Sequence, residues 1–143
     1  MTDESEMFTR TVRVDRSMKP LQAFKSITSH QQYLNETVVN GMPLGTDEEV
    51  TLCLFPIKKQ LTCAEYAKAL ESRGLKPDPM AQAAFNQADP EFADKYPNGT
   101  QWQDQAGNFC YAFWRVWNGG RRVRVGESGR GWYDGWFACG VSK

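Results

Sequence analysis

Side chains that could perform catalysis are few in this sequence. It contains one histidine, His30, in a polar Ser-His-Gln-Gln setting, so the chain alone cannot supply a histidine-dependent triad or a two-histidine metal site. We interpret His30 as an ordinary surface residue. Asp47, Glu48 and Glu49 are typical of a solvated turn, because a metal cluster needs oxygen ligands at ordered spacing. The residue types predict no metal, no cofactor and no catalytic group, so an enzyme is the least favoured class.

The cysteines and the glycine-rich stretch also lack the spacing of familiar sites. Cys53, Cys63, Cys110 and Cys139 are widely spread, without the Cys-x-x-Cys pairs of zinc and redox sites. We expect them to be buried thiols rather than disulfides. The glycines between positions 126 and 135 match neither the Walker pattern nor Gly-x-Gly-x-x-Gly between a strand and a helix. A phosphate-binding loop is therefore not predicted.

Length and composition predict one folded domain. The chain has 143 residues, of which 41% are hydrophobic and 13% aromatic, and no apolar run approaches the roughly 18 residues of a membrane span. Residues 1–6 are acidic and polar, unlike a secretory signal, so we expect a cytoplasmic protein. The net charge is zero, but residues 101–143 hold 6 basic against 3 acidic side chains. This excess is too small to predict nucleic-acid binding.

Hydrophobic spacing predicts both strands and helices, and hence an α+β fold. The best helix start is Thr62, because its side chain and that of Glu65 can form a capping box. Gly74 suits the C-terminal end of that helix. Up to Tyr96 we expect a strand over 8–16, short helices over 21–27 and 33–39, a strand over 49–57, and helices opening at Thr62, Asp78 and Asp89.

Beyond residue 99 the pattern becomes extended. Residues 97–99 are interpreted as a loop, and residues 109–117 as a strand with aromatic side chains on both faces. Asn118-Gly119-Gly120 predicts a tight hairpin, because these residues accept the positive φ that it needs. A strand over 122–125 and an exposed, structured loop over 126–135 follow. Residues 136–141 are expected to form a strand inside the sheet.

Five tryptophans, all within the last 42 residues, are the largest apolar side chains of this part. We expect Trp114 or Trp117, and also Trp136, to be buried in the core, since indoles supply large buried area. Trp132 lies in the glycine-rich loop. Of the five, it is therefore the one that we expect to be partly exposed.

Polar and aromatic residues of the last third have the composition of a binding surface. Arginine, tyrosine and tryptophan dominate binding hot spots, and small polar residues with glycine adapt to a ligand. A mixed polar loop is nevertheless common on any protein surface. The candidates are Arg122, Arg124, Gly126, Ser128, Arg130, Trp132, Tyr133, Asp134 and Gly135.

Several short pieces spread over most of the chain carry a family resemblance. They are Phe8-Thr-Arg-Thr-Val-Arg-Val14, Val39-Asn-Gly-Met-Pro43, Gly74-Leu-Lys-Pro77, Ala88-Asp-Pro-Glu-Phe-Ala93, Pro97-Asn-Gly-Thr-Gln-Trp102 and Trp136-Phe-Ala-Cys-Gly-Val-Ser-Lys143. In these pieces the chain resembles a group of small proteins from reduced-genome bacteria of the candidate phyla. Their C-termini look like the variable regions of diversity-generating retroelements.

The resemblance implies that part of the C-terminal region is hypervariable. Such elements copy a template with errors at adenines, which turns asparagine codons into codons for other residues. Glu127 and Trp132 cannot arise from asparagine codons and would be framework. The residues that can arise from asparagine codons are Arg122, Arg124, Gly126, Ser128, Arg130, Tyr133 and Gly135. Gly129 and Gly131 can arise from aspartate codons.

The resemblance also implies a C-type-lectin-like fold, with two or three helices packed on a mainly antiparallel sheet. Residues 46–143 would be the ligand-binding domain with its variable region at about 118–135, and residues 1–45 a strand and helix extension packed on it. Trp117-Asn118-Gly119 lacks the acid of the calcium-binding lectins and no Glu-Pro-Asn occurs, which favours a protein ligand over a sugar. The alternatives are a nucleic-acid module that uses exposed aromatics and arginines, and a mobile-element inhibitor protein.

Overall fold

Eight strands and five helices form an α+β fold in the computed structural model, which describes residues 7–127 and 129–143. The acidic start at residues 1–6 and the candidate Ser128 lie outside the described residues. The elements are β1 (Phe8–Arg13), α1 (Pro20–Lys25), β2 (Gln31–Leu34), α2 (Glu36–Asn40), β3 (Glu49–Pro56), α3 (Cys63–Ser72), β4 (Leu75–Lys76), α4 (Pro79–Ala88), α5 (Phe92–Lys95), β5 (Asn98–Gln103), β6 (Phe109–Trp117), β7 (Gly120–Glu127) and β8 (Phe137–Ser142).

All eight strands belong to one mixed, mainly antiparallel sheet. Its order is β1-β3-β8-β5-β6-β7-β2, with β4 added to β8. The pairs β5–β8 and β2–β7 are parallel and the others antiparallel. The last strand therefore lies between β3 and β5, which confirms the prediction that the C-terminal residues lie inside the sheet.

One face of the sheet is covered by helices α1, α2, α4 and α5. Its core contains Phe24 of α1, Val39 of α2 and Leu54 of β3, all fully buried or nearly so. Trp114 of β6 has no exposed surface and packs at 6.3 Å from the ring of Phe24. Trp114 is thus the buried tryptophan that the sequence predicted, whereas Trp117 at the end of β6 is 51% exposed.

Helix α4 is fixed to the sheet by buried amide side chains. Asn86 and Asn98 exchange two hydrogen bonds of 2.9 Å, and the Gln82 side chain donates to the Asn98 carbonyl and to the Ala112 carbonyl. All three amide side chains are fully buried. These bonds hold α4 against the sheet, because a buried polar group without a partner costs about 1–3 kcal/mol. The Gln82 Oε1 atom has no hydrogen-bond partner among the described residues.

The opposite face has a smaller core beneath helix α3. Tyr66 and Leu70 of that helix pack with Phe55 and Trp132. The predicted capping box is confirmed, since the Thr62 hydroxyl accepts from the Glu65 backbone N–H at 3.1 Å and the Glu65 carboxylate accepts from the Thr62 N–H at 2.9 Å. Gly74 ends the helix region with φ +68°, as expected.

Several predicted boundaries are corrected by pairing partners distant in sequence. The predicted helix over 33–39 is instead the end of β2 followed by the short helix α2, because residues 31–34 pair with β7. Residues 98–99, expected in a loop, begin β5 and lie between β6 and β8. Asp89 does not cap α5 through its side chain; that helix begins at Phe92 without a side-chain cap.

Both ends of the sheet are formed by the N-terminal segment. Strand β1 pairs with β3 at one edge and strand β2 with β7 at the other.

Among the described helices, none has the length and apolar character that a membrane crossing requires.

Candidate functional site

Strands β6 and β7 present an aromatic and basic surface on the face that also holds α3. Side chains alternate along β6, so Ala112 and Trp114 point into the helix-covered core while Tyr111, Phe113 and Arg115 point the other way. Across the strand pair, Arg124 lies opposite Phe113. Tyr111, Phe113 and Arg115 are therefore half-buried and Arg124 is exposed, on the same face that carries the smaller core beneath α3.

A cleft of about 700 Å³ lies between this surface and the segment 130–136. Its size is within the roughly 300–1,000 Å³ of small-molecule sites. The floor is aromatic, because the rings of Tyr111 and Phe113 stack at 5.3 Å and Trp136 meets Phe113 edge-on at 5.4 Å. The lining residues are Cys63, Gln101, Cys110, Tyr111, Phe113, Arg115, Arg124, Glu127, Arg130, Gly131, Trp132, Tyr133 and Trp136.

The segment beside the cleft is fastened to the chain that precedes α3. Leu61 and Trp132 exchange two backbone hydrogen bonds, of 2.9 and 2.8 Å, and the Gly135 N–H donates to the Ile57 carbonyl at 3.1 Å. The Ile57 N–H in turn donates to Trp136 at 2.7 Å. Residues 131–136 thus follow the preceding chain closely, although they form no regular strand.

The Trp132 side chain is the anchor of this segment, which corrects the expectation that it is partly exposed. It is 6% exposed, and its indole N–H donates to the Gln101 side chain at 2.8 Å. Its ring lies 5.1 Å from Tyr66 and against Gly99, where a Cβ would be 2.0 Å from the indole. The glycine-rich composition around Trp132 suggested exposure, but the backbone turns the indole into the second core.

Two glycines of the predicted variable stretch are constrained by their neighbours. Gly131 has φ +82°, and a Cβ there would lie 2.2 Å from the Leu61 carbonyl oxygen, so other residues are strongly disfavoured in this conformation. Gly126, a candidate binding residue, is instead buried beneath its cross-strand partner Tyr111, whose hydroxyl would be 2.8 Å from a Cβ. It offers no exposed surface to a ligand.

The remaining candidates divide into cleft residues and neighbours of the cleft. Arg124, Arg130 and Tyr133 are exposed and line it. Asp134 and Gly135 are exposed but are not among the lining residues. These three candidates thus share one surface, and their role in binding stays a prediction. The aromatic floor between them was not among the candidates.

Arg122 lies beside the cleft and is partly buried by the N-terminal segment. Its guanidinium donates to the Tyr33 hydroxyl at 3.1 Å and lies 5.5 Å from the centre of that ring. Tyr33 comes from strand β2 and is 39% exposed, so it extends the surface past β7. Nothing local in the sequence could have identified Tyr33, because its position depends on the parallel pairing of β2 with β7.

Neither family models, nor curated proteins, nor solved structures gave a match to this chain. The candidate site is therefore defined by its own geometry and chemistry.

The Cys110 thiol, which lines the cleft, is protonated at neutral pH. Burial, followed by the negative charges of Asp104 and Glu127, raises the pKa of Cys110 to about 11. Burial likewise raises the pKa of Cys53 and of Cys139. All four cysteines are buried and none forms a disulfide, which confirms the prediction of buried thiols. A protonated thiol is a poor nucleophile and a poor metal ligand.

Three potential metal ligands lie together at one end of strands β6 and β7. They are the side chains of Asp104, Cys110 and Glu127, whose ligand atoms lie within 4.8 Å of one another. The Asp104 carboxylate, however, already accepts from the backbone N–H groups of Ala106 and Asn108, both at 2.9 Å. These bonds shape the β5–β6 turn. The turn therefore accounts for the position of Asp104, and Cys110 and Glu127 are cross-strand partners in β6 and β7.

His30 is buried, which corrects its interpretation as a surface residue. It is 3% exposed, and its ring meets Trp114 edge-on at 4.9 Å. Burial lowers its pKa to about 4, and the positive charge of Arg121 acts in the same direction against the smaller opposite effect of Asp94. Its polar neighbours in sequence suggested exposure, but β2 joins the sheet directly after it and carries the ring under β6.

Proposed function

We propose that this chain is a ligand-binding protein whose cleft surface is diversified by a retroelement and binds a protein partner. The observation that carries this proposal is the position of Arg124, Arg130 and Tyr133 around one cleft, while Trp132 fixes the same segment from inside. Exposed side chains on a fixed backbone can change without unfolding the protein. The exposed positions of the proposed variable region, about 118–135, would then set specificity, while its buried and constrained residues would remain part of the frame.

The order of elements supports a C-type-lectin-like arrangement for residues 46–143. A strand, three helices with the two-residue strand β4 after the first of them, and a run of mainly antiparallel strands follow one another. The first and last strands of this set, β3 and β8, are direct neighbours. In lectin-like folds the ends of the domain also meet in this way. The segment before residue 46 would then be an addition that contributes strands to both edges.

A rigid surface suits a protein ligand because association then orders few groups. Arg115 is held between aromatic rings, its guanidinium carbon 4.5 Å from the centre of Trp117 and 5.6 Å from that of Trp136. Arginine and aromatic side chains dominate the energetics of many protein interfaces. Proteins with other residues at the variable positions would keep this floor and differ at its rim.

Two libraries would test whether the cleft surface can acquire ligands. The first randomises Arg124, Arg130, Tyr133 and Asp134; the control randomises an equal number of exposed α3 positions, Ala64, Ala67, Lys68 and Glu71. Both are displayed and selected against the same set of unrelated purified proteins. The proposal expects binders from the first library far more often than from the control, and equal yields would contradict it.

The retroelement origin is tested by the DNA beside the gene. The proposal expects a near-copy of the 3′ end of the gene that differs from it only at adenines of the template, next to a reverse-transcriptase gene. Flanking DNA without such a copy would contradict diversification. The result of the library selection would still stand, since it measures the surface alone.

A further inference from the structure

The cleft carries an excess of positive charge that the whole chain does not have. Arg115, Arg124 and Arg130 line it with Glu127 as the one acidic lining residue among those described, whereas the complete sequence has zero net charge. A local excess of this kind attracts and orients an anionic group of a ligand.

Two of these arginines can donate to a ligand. Arg124 is exposed and makes no hydrogen bond or ion pair with the described residues. Arg115 donates only one long bond, of 3.5 Å, to the Val116 carbonyl, while Trp117 and Trp136 hold its guanidinium in place. A planar guanidinium with unused N–H groups matches a carboxylate, which it can bind through two parallel hydrogen bonds.

The floor of the cleft provides an apolar surface directly beside these arginines. Phe113 lies opposite Arg124 in the strand pair, and its ring contacts both Tyr111 and Trp136. Offset and edge-on contacts with such rings favour a further aromatic ring over an aliphatic side chain of similar size.

We propose that the cleft binds a peptide segment of its protein partner that presents a carboxylate next to an aromatic side chain. The inference rests on the proposed binding function and specifies its ligand. The carboxylate pairs with Arg124 and Arg115, and the aromatic ring packs on Phe113 and Trp136. A nucleic acid fits less well, because Glu127 lines the cleft and Asp134 is exposed close by, and phosphate chains need a continuous basic groove.

A phage library of random linear peptides, selected on the immobilised full-length protein, would test this inference. We expect the selected peptides to share an Asp or Glu close to a Phe, Tyr or Trp. Their binding should weaken about tenfold or more on Arg124→Gln, since a charge-assisted hydrogen bond contributes about 1.5–3 kcal/mol. The matched control is Arg13→Gln on the far edge strand β1, which removes the same charge and should leave binding unchanged.

The other outcomes separate this inference from the binding function. Selected peptides that need Phe113 but lack an acidic residue would overturn the inference and leave the binding function standing. A selection that yields no peptide sensitive to cleft substitutions would overturn the inference, while the two libraries test the binding function separately. Displacement of the peptides by oligothymidylate, with an affinity that falls steeply as salt rises, would overturn the inference in favour of nucleic acid. Thermal melts of each variant verify that it is folded.

Discussion

At the scale of single residues, exposed and buried positions alternate within the segment beside the cleft. Arg130 and Tyr133 are exposed, while the indole of Trp132 between them is buried and hydrogen-bonded to Gln101. Sequence composition could not distinguish them, because glycine, arginine and aromatic residues occur equally in loops that are exposed and in loops that are anchored. The distinction depends on residues 57–61, which lie far from this segment in sequence.

Two neighbouring glycines give a prediction about which positions of this segment can vary. Gly131→Ala should destabilise the protein by about 1–3 kcal/mol or more, because the left-handed backbone is unfavourable for alanine and a Cβ would meet the Leu61 carbonyl. Gly129→Ala should change the free energy of unfolding by about 0.5 kcal/mol or less, since nothing lies within 4 Å of its Cβ position. Urea denaturation of both variants measures this; equal losses would show that the backbone of this segment differs from the one described.

His30 predicts a specific loss of stability in acid. Its folded-state pKa of about 4 lies below the ordinary value of 6.5, so the unfolded chain binds the proton more readily. The neutral ring therefore contributes stability that is fully present above pH 6.5 and is lost as the pH falls towards 4. The loss reaches up to about 3 kcal/mol, at 1.36 kcal/mol for each pKa unit.

Unfolding measured from pH 7 to pH 4 on wild type and His30→Gln tests this dependence. The wild type should lose more stability than the variant across this window, because glutamine does not titrate. Carboxylates without an electrostatic interaction with His30, such as Glu65, whose pKa is lowered chiefly by its hydrogen bond with the Thr62 backbone, titrate in both proteins and cancel in the comparison. Parallel curves would contradict the burial of a neutral His30.

At the scale of elements, local signals predicted well what local contacts determine. The capping box at Thr62, the left-handed Gly74 and the Asn118-Gly119 hairpin, with φ of +51° and +75°, are all as expected. The predictions for the start of strand β5 and for residues 31–40 were wrong, because both depend on partners far away in sequence. In β6, Arg115 shares a face with Tyr111 and Phe113. Its charge was the one feature of the sequence that could have predicted which face of β6 is turned towards solvent.

The start of α3 gives a prediction at this scale. Thr62→Ala should destabilise the protein by about 1 kcal/mol, since the side chain caps a backbone N–H that otherwise has no partner. Thr62→Ser keeps the hydroxyl and should retain most of the stability. Chemical denaturation of the two variants measures the difference. Equal loss from both would mean that the methyl group of Thr62, rather than its hydroxyl, holds the helix start.

At the scale of the whole molecule, the frame consists of the sheet and the helices packed on it, and the exposed side chains around the cleft contribute little to its packing. The C-terminal strand β8 lies between β3 and β5, and the N-terminal strands β1 and β2 lie at the two edges of the same sheet. The sequence predicted the α+β class and the internal C-terminal strand. It could not predict the parallel pairing of β2 with β7, which brings Tyr33 beside Arg122 across 89 positions of sequence.

The central claim is that the protein tolerates substitution of the exposed side chains around the cleft but not of Trp132, which anchors the segment beside it. Equilibrium unfolding tests this claim most directly. The triple variant Arg124→Ala, Tyr133→Ala, Asp134→Ala removes only exposed side chains, so its free energy of unfolding should stay within about 1.5 kcal/mol of the wild type. Trp132→Ala should lose about 3–5 kcal/mol, because it leaves a buried cavity. A triple variant that loses as much as Trp132→Ala would contradict the account.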